Sequence, residues 1–234
     1  GPELLTLCES SGVDIAASFG VDHGRITVVP LGVEHDVFVP PTAPRVPGRI
    51  VTTASADVPL KGLVPLLEAL AKLRTERDVH LIVVGSLREG GATEETLERL
   101  DLHDAVEFRS DVAEPDLVEL FGSAQVAVVP SLYEGFSLPA VEIMACATPL
   151  VATNAGALPE VVGPDGEAAL RVEPGDPQAL AVAIGQILDD DELAARLGAT
   201  GRKRVIENYT WSVVAARTAD WYRRCIAERA AAAA

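Results

Sequence analysis

The stretch richest in chemistry is Ser131-Leu-Tyr-Glu-Gly-Phe-Ser-Leu-Pro-Ala-Val-Glu142. It follows an apolar run, Val126–Val129, and opens a helix pattern at Pro139. A loop that leaves a strand and enters a helix presents free backbone N–H groups and the positive end of the helix dipole. That makes it a phosphate site on physical grounds alone. Gly135 lets the backbone approach a ligand closely. Glu134 precedes the turn and Glu142 stands about one turn into the helix. Two carboxylates aimed at a phosphate would repel it, so they make more sense as acceptors for neutral hydroxyls, such as those of a ribose and a sugar. The other reading of Glu142, equally open at this point, is an ordinary glutamate stabilised by the helix dipole.

A second segment, Thr53-Ala-Ser-Ala-Asp-Val-Pro-Leu-Lys61-Gly62, also joins a strand to a helix. A lysine at a helix start opposes the macrodipole, so Lys61 either bends into solvent or has an anion to meet. Over the same crevice as residues 134–138, it would neutralise a diphosphate. Other familiar sites are absent. There is no GxGxxG after a strand, no GxxxxGK[ST], no GxSxG and no HExxH. His23, His35, His80 and His103 are scattered without a metal-ligand partner one helical turn away.

The elements that must position these segments alternate along the chain. Short apolar runs occur at Ile50–Ser55, Leu81–Val84, Val106–Phe108, Val126–Val129, Leu150–Thr153 and Ala169–Val172. Runs without polar alternation suit a parallel sheet covered on both faces. Helix patterns lie between them at Gly62–Arg77, Pro115–Ser123, Pro139–Ala147 and Gln178–Leu188, the last capped by Asp176. About six such units predict an α/β fold with a Rossmann-like, doubly wound parallel sheet, which binds ligands at the carboxyl ends of its strands near a switch point. The flanks differ. Leu4–Cys8 reads as a strand, Ser10–Phe19 as a helix and Ile26–Val29 as another strand, while Asp191–Asn208 and Trp211–Arg229 read as two final helices.

Composition narrows the partners. The 234 residues are 48% hydrophobic and 23% charged, a globular balance. With 19 Lys and Arg against 35 Asp and Glu, the formal net charge is −16. So acidic a chain argues against nucleic acid or an anionic membrane as the main partner. No apolar run is long enough for a membrane span, and no signal peptide is visible. Cys8, Cys146 and Cys225 are odd in number and far apart, which predicts packed thiols and a cytoplasmic setting rather than disulfides or structural zinc.

Glu134-Gly-Phe-Ser-Leu-Pro-Ala-Val-Glu142 resembles the E-x7-E signature of retaining glycosyltransferases of family 4, the group 1 enzymes with the GT-B fold. Three further segments resemble that family in order: Arg25–Phe38, the link between its two domains; Lys61-Gly62, its diphosphate lysine; and Leu150–Val162 with Asn154-Ala-Gly156 and Leu158-Pro-Glu160. The resemblance implies that Glu142 accepts from ribose hydroxyls and Glu134 contacts the donor sugar. It implies that Gly135, Phe136, Ser137 and Leu138 form the turn that offers backbone N–H groups to the diphosphate, with Lys61 stabilising the leaving charge. Phe108, Arg109 and Val112 lie where the family cradles the nucleobase, largely through backbone atoms. It also implies a UDP-, GDP- or ADP-sugar donor, retention at the anomeric carbon, and chemistry without a metal or other cofactor.

Two departures stand out. The family's arginine shortly before the lysine is replaced here by Ser55 and Ala56, followed by Asp57, with Arg88 and Arg109 as candidate substitutes. Only the last strand and helix of the family's N-terminal domain are recognisable. The expected organisation is therefore residues 1–24 as that remnant with a cloning scar at Gly1-Pro2, 25–210 as the nucleotide-sugar-binding domain, 211–229 as a crossing helix, and 230–234 as a possible tag. The crossing helix is expected to expose Trp211, Val214, Trp221 and Tyr222 towards the missing N-terminal domain. Such a half is expected to bind a nucleotide without turning over. Two other readings are a sugar-nucleotide epimerase of related GT-B architecture and a stand-alone nucleotide-sugar-binding module.

Overall fold

The computed structural model describes residues 3–54 and 58–233. Its main body is a six-stranded, wholly parallel sheet in the order β5-β4-β3-β6-β7-β8. The strands are β3 (Val46–Thr53), β4 (His80–Val84), β5 (Val106–Arg109), β6 (Ala124–Val129), β7 (Leu150–Thr153) and β8 (Leu170–Val172). The chain runs outward from β3 to β5, returns to β6 beside β3, and runs outward again to β8. The switch point thus falls between β3 and β6, and the loops leaving those two strands open side by side.

Alternation along each strand feeds two separate cores. Val51, Ala127, Leu150 and Ala152 face α4 (Glu114–Ser123), α5 (Leu138–Ala145), α6 (Leu158–Val162) and α8 (Asp191–Asn208). Ile50, Val126, Val128 and Val151 face α2 (Leu63–Leu73), α3 (Ala92–Leu100) and α7 (Pro177–Asp189). A sheet buried on both faces explains why its strands read as continuous apolar runs.

Several sequence boundaries move. The first sheet strand starts at Val46 and ends at Thr53; Ser55, Ala56 and Asp57 lie outside the described residues. The helix expected over Gly62–Arg77 spans only Leu63–Leu73. Its last turn is closed by Thr75 Oγ1 donating to Lys72 O at 2.7 Å, and Arg77 turns away to Asp189 at 2.6 Å. Helix α3 carries four acidic residues or arginines among few apolar ones, so its pattern was too polar to stand out.

The N-terminal flank is a small unit: β1 (Leu4–Thr6) and β2 (Ile26–Val28) pair in parallel, joined by α1 (Glu9–Phe19). The last helix, α9, runs through Trp211–Ala233, so Ala230–Ala233 continue it. Trp211 and Tyr222 on this helix are exposed, as expected. Val214 is not: it is buried, lining a crevice with Val29, Pro30 and Phe136. Trp221 is partly buried, with its ring 5.0 Å from that of Tyr222. All three cysteines are free. Among the described residues no helix is long and apolar enough to cross a membrane.

Candidate functional site

The two loops at the switch point supply the site. After β3, a 3-10 turn at Pro59–Lys61 leads into Gly62, whose φ of 69° starts α2. After β6, residues 130–137 lead into α5. The loops are tied by Leu132 N donating to Leu60 O at 2.7 Å. Gly62 permits the approach, since a Cβ there would stand 1.8 Å from Pro130 O. The loop after β7 supports the arrangement from the other side. Ala157 N donates to Glu134 O at 2.9 Å, and Thr153 Oγ1 donates to Ser131 O at 2.5 Å. Gly156, at φ 53°, leaves room for the Glu134 carbonyl, which a Cβ would approach to 2.2 Å.

Lys61 and Glu134 meet here: Nζ lies 2.8 Å from Oε2. Ser131 Oγ donates to the same carboxylate oxygen at 3.0 Å. The sequence left Lys61 choosing between solvent and an anion, and its partner in this structure is Glu134. The pairing also neutralises one of the two carboxylates that would otherwise repel a phosphate.

Gly135, Phe136, Ser137 and Leu138 carry the chain from Glu134 into α5. Their backbone N–H groups donate to no partner among the described residues. Ser137 is the N-cap, its hydroxyl accepting from Ala140 N at 3.4 Å, and it sits in left-handed backbone at φ 79°. A serine held there costs of the order of 1 kcal/mol, and such outliers cluster where a ligand is gripped. Unpaired donors at the positive end of α5 are what an anion requires.

Glu142 is half-buried on α5, and its carboxylate makes no hydrogen bond or ion pair among the described residues. Burial raises its carboxyl above the ordinary range, and the nearby Glu114 raises it further. A stabilised first-turn glutamate would be exposed or paired. This carboxylate is half-buried and unpaired, an acceptor with no donor among the described residues. Glu114, at the start of α4, is a neighbour that no motif singled out.

The expected nucleobase residues share a crevice that includes neither Lys61 nor Glu134. Phe108, Arg109 and Val112 line a crevice of about 630 Å³ with Arg49 and Glu107. Phe108 packs towards the core layer of α2, α3 and α7. Arg109 turns to the opposite face and pairs with Glu107 at 2.7 Å, which raises the arginine and lowers the glutamate. In this structure that guanidinium is engaged on the edge strand. Arg88 is exposed and has no side-chain partner among the described residues. No group of three His, Cys, Asp or Glu side chains among the described residues is placed to hold a metal.

This fold, with its loops at the switch point, has known relatives. Residues 40–204 match the family described as glycosyl transferases group 1. The chain belongs to that family. It is 50% identical over 230 residues to an MMP alpha-(1->4)-mannosyltransferase of Mycolicibacterium hassiacum, covering 98% of this chain and 56% of that protein. A sucrose-phosphate synthase of Thermosynechococcus elongatus superposes with a TM-score of 0.83 at 29% identity, covering 96% of this chain and 58% of that one. Anabaena HepE, crystallised with UDP and glucose, shares the fold at TM-score 0.81 and 19% identity, covering 94% and 62%. The chain thus spans about half the length of the curated relatives it matches. Its six-stranded sheet with flanking helices is the C-terminal half of a GT-B fold.

Proposed function

We propose that this chain is the donor-binding half of a retaining transferase that takes a hexose, mannose first among the candidates, from a nucleoside diphosphate sugar. The single observation that carries the reading is the meeting of Lys61 and Glu134 across the switch point, beside the unpaired amides that open α5. Mannose comes from the 50%-identical mannosyltransferase, and a nucleotide donor is consistent with the UDP held by HepE.

In this reading the residues divide the work. Glu142 accepts from the ribose hydroxyls, a role for which its lack of any other partner suits it. Phe136, Ser137 and Leu138 direct N–H groups to the diphosphate. Lys61 moves part of its charge from Glu134 to the diphosphate as the sugar leaves, so the anion that develops is met by a cation already in place. Glu134 contacts the sugar hydroxyls. Lys61 and the α5 N-terminus supply positive charge without a metal, so chelation leaves binding unchanged. The acceptor and the rest of the catalytic surface belong to the N-terminal domain expected from the family, and the chain alone binds without turnover. Family membership and the E-x7-E pair favour transfer over epimerisation.

Calorimetric titration of the chain with UDP, GDP and ADP, each with and without EDTA, tests this reading. One nucleotide should bind, in both buffers, and Glu142→Ala should weaken it about tenfold. Failure of all three to bind overturns the assignment of a donor site.

A further inference from the structure

Helix α1 belongs to the small N-terminal unit, yet its first turn is held by a side chain from the main body. Glu160 Oε2 accepts from Glu9 N at 2.7 Å and Oε1 from Ser10 N at 2.8 Å. The first amides of a helix have no partner within it, and a carboxylate is the strongest acceptor for them. Glu160 is itself fixed from behind. Arg204 donates to the carbonyls of Glu160 and Val161, each at 2.7 Å. The Tyr209 hydroxyl reaches Val161 O at 3.3 Å, and the Tyr209 ring meets Phe136 edge-on, with centroids 6.0 Å apart.

The N-cap of α1 is Cys8, buried, and its thiol proton has two acceptors in reach, Gly135 O at 2.9 Å and Ser11 Oγ at 3.0 Å, of which the carbonyl is the nearer. Gly135 is exposed, and a Cβ there would meet nothing within 4 Å. Such a glycine has little conformational preference of its own, so an outside contact decides which way its peptide faces. In a planar trans peptide the carbonyl and the following N–H point in opposite directions. The bond that turns Gly135 O towards Cys8 therefore turns Phe136 N–H away from α1. A reversed peptide would present a carbonyl where a phosphate needs a donor.

We propose that Glu160 is a positioning residue: by gripping the first turn of α1 it holds Cys8 against Gly135 and so fixes the Phe136 amide. This rests on the reading of residues 135–138 as the diphosphate cradle.

The test compares the wild-type chain with Glu160→Gln, Cys8→Ala and Cys8→Ser. Two readouts are used: 15N relaxation of the Gly135 and Phe136 amides without ligand, and calorimetry with the best-bound nucleoside diphosphate and its parent nucleoside. Glu160→Gln and Cys8→Ala should each drop the two order parameters from about 0.85 towards 0.6. Each should also weaken the diphosphate roughly three- to tenfold while leaving the nucleoside unchanged. Cys8→Ser, whose hydroxyl still donates to the carbonyl, should restore both. The proposal is overturned if Glu160→Gln loosens only Glu9 and Ser10, or if nucleoside and diphosphate weaken together. A wild-type chain that binds no nucleotide defeats the donor reading instead. The relaxation arm then still decides whether Glu160 controls the loop, because it needs no ligand.

Discussion

Lys61 Nζ stands 2.8 Å from Glu134 Oε2 although the two are 73 residues apart in sequence. Each comes from a loop on one side of the switch between β3 and β6. The pair has opposite consequences for the two substitutions. Lys61→Met removes the cation and should weaken a nucleoside diphosphate about tenfold, with no change for the nucleoside. Glu134→Gln frees the lysine and should tighten the diphosphate a few-fold, while removing the sugar's acceptor in the transferase. Titrations of both variants with the diphosphate and the nucleoside check the signs; weakening of the diphosphate by Glu134→Gln would contradict a competition for Lys61.

Glu142 carries a sign that can be read from pH. Burial, then Glu114, raises its carboxyl above the usual value, so the folded chain holds this proton more tightly than the unfolded chain does. Its contribution to stability is full below the ordinary carboxylate range and is lost as pH rises through the raised folded value. Glu142→Gln should therefore melt above the wild type at neutral pH and level with it in acid. Because the ionised carboxylate is the stronger acceptor for ribose hydroxyls, nucleotide affinity should fall as pH is lowered through the same window. Urea midpoints and titrations at acid and neutral pH measure the two trends together.

Much of this was legible in the sequence, for identifiable reasons. Leu150–Thr153 and Asp191–Asn208 keep their bounds because a doubly buried strand and a capped, periodic helix are strong local signals. That Lys61, Glu134 and Glu142 come to one end of the sheet was legible because strand-to-helix loops gather there in a parallel sheet. What the sequence hid was contact between distant loops. Nothing local says that Lys61 reaches Glu134, or that Glu160 grips the helix behind Cys8. Val214 was expected to be exposed because a helix stripe does not say which neighbour covers it; it is buried, lining one crevice with Phe136 and Pro30.

The cysteines give a separate check on packing. Burial pushes the Cys146 thiol up to about 12, partly offset by Arg45 and Arg202. Thiolate is the reactive form, so Cys146 should resist alkylation in the native chain. Cys225, half-buried on α9, should be modified first. Mass spectrometry of chains treated with iodoacetamide, native and in urea, should show Cys146 labelled only after unfolding.

Two glycines hold the site together where no other residue fits. Gly62 has φ 69°, with Pro130 O 1.8 Å from where a Cβ would stand, and Gly156 has φ 53°, with Glu134 O at 2.2 Å. Both obstacles are backbone atoms, which cannot swing aside like a flexible side chain. Alanine at either position combines left-handed strain with a clash, and should cost about 2–4 kcal/mol, or roughly 4–16 °C in Tm for a chain of this size. The variants should differ in binding. Gly62→Ala pushes apart the loops that carry Lys61 and Ser131, so the diphosphate should weaken most. Gly156→Ala displaces the Glu134 backbone and with it the turn into α5, so the diphosphate should again weaken but the sugar part of a nucleotide sugar should lose more. Calorimetry with the diphosphate and the intact nucleotide sugar, below the melting range of each variant, separates these outcomes. Equal losses in both ligands for both variants would show that the glycines serve the fold without shaping the site.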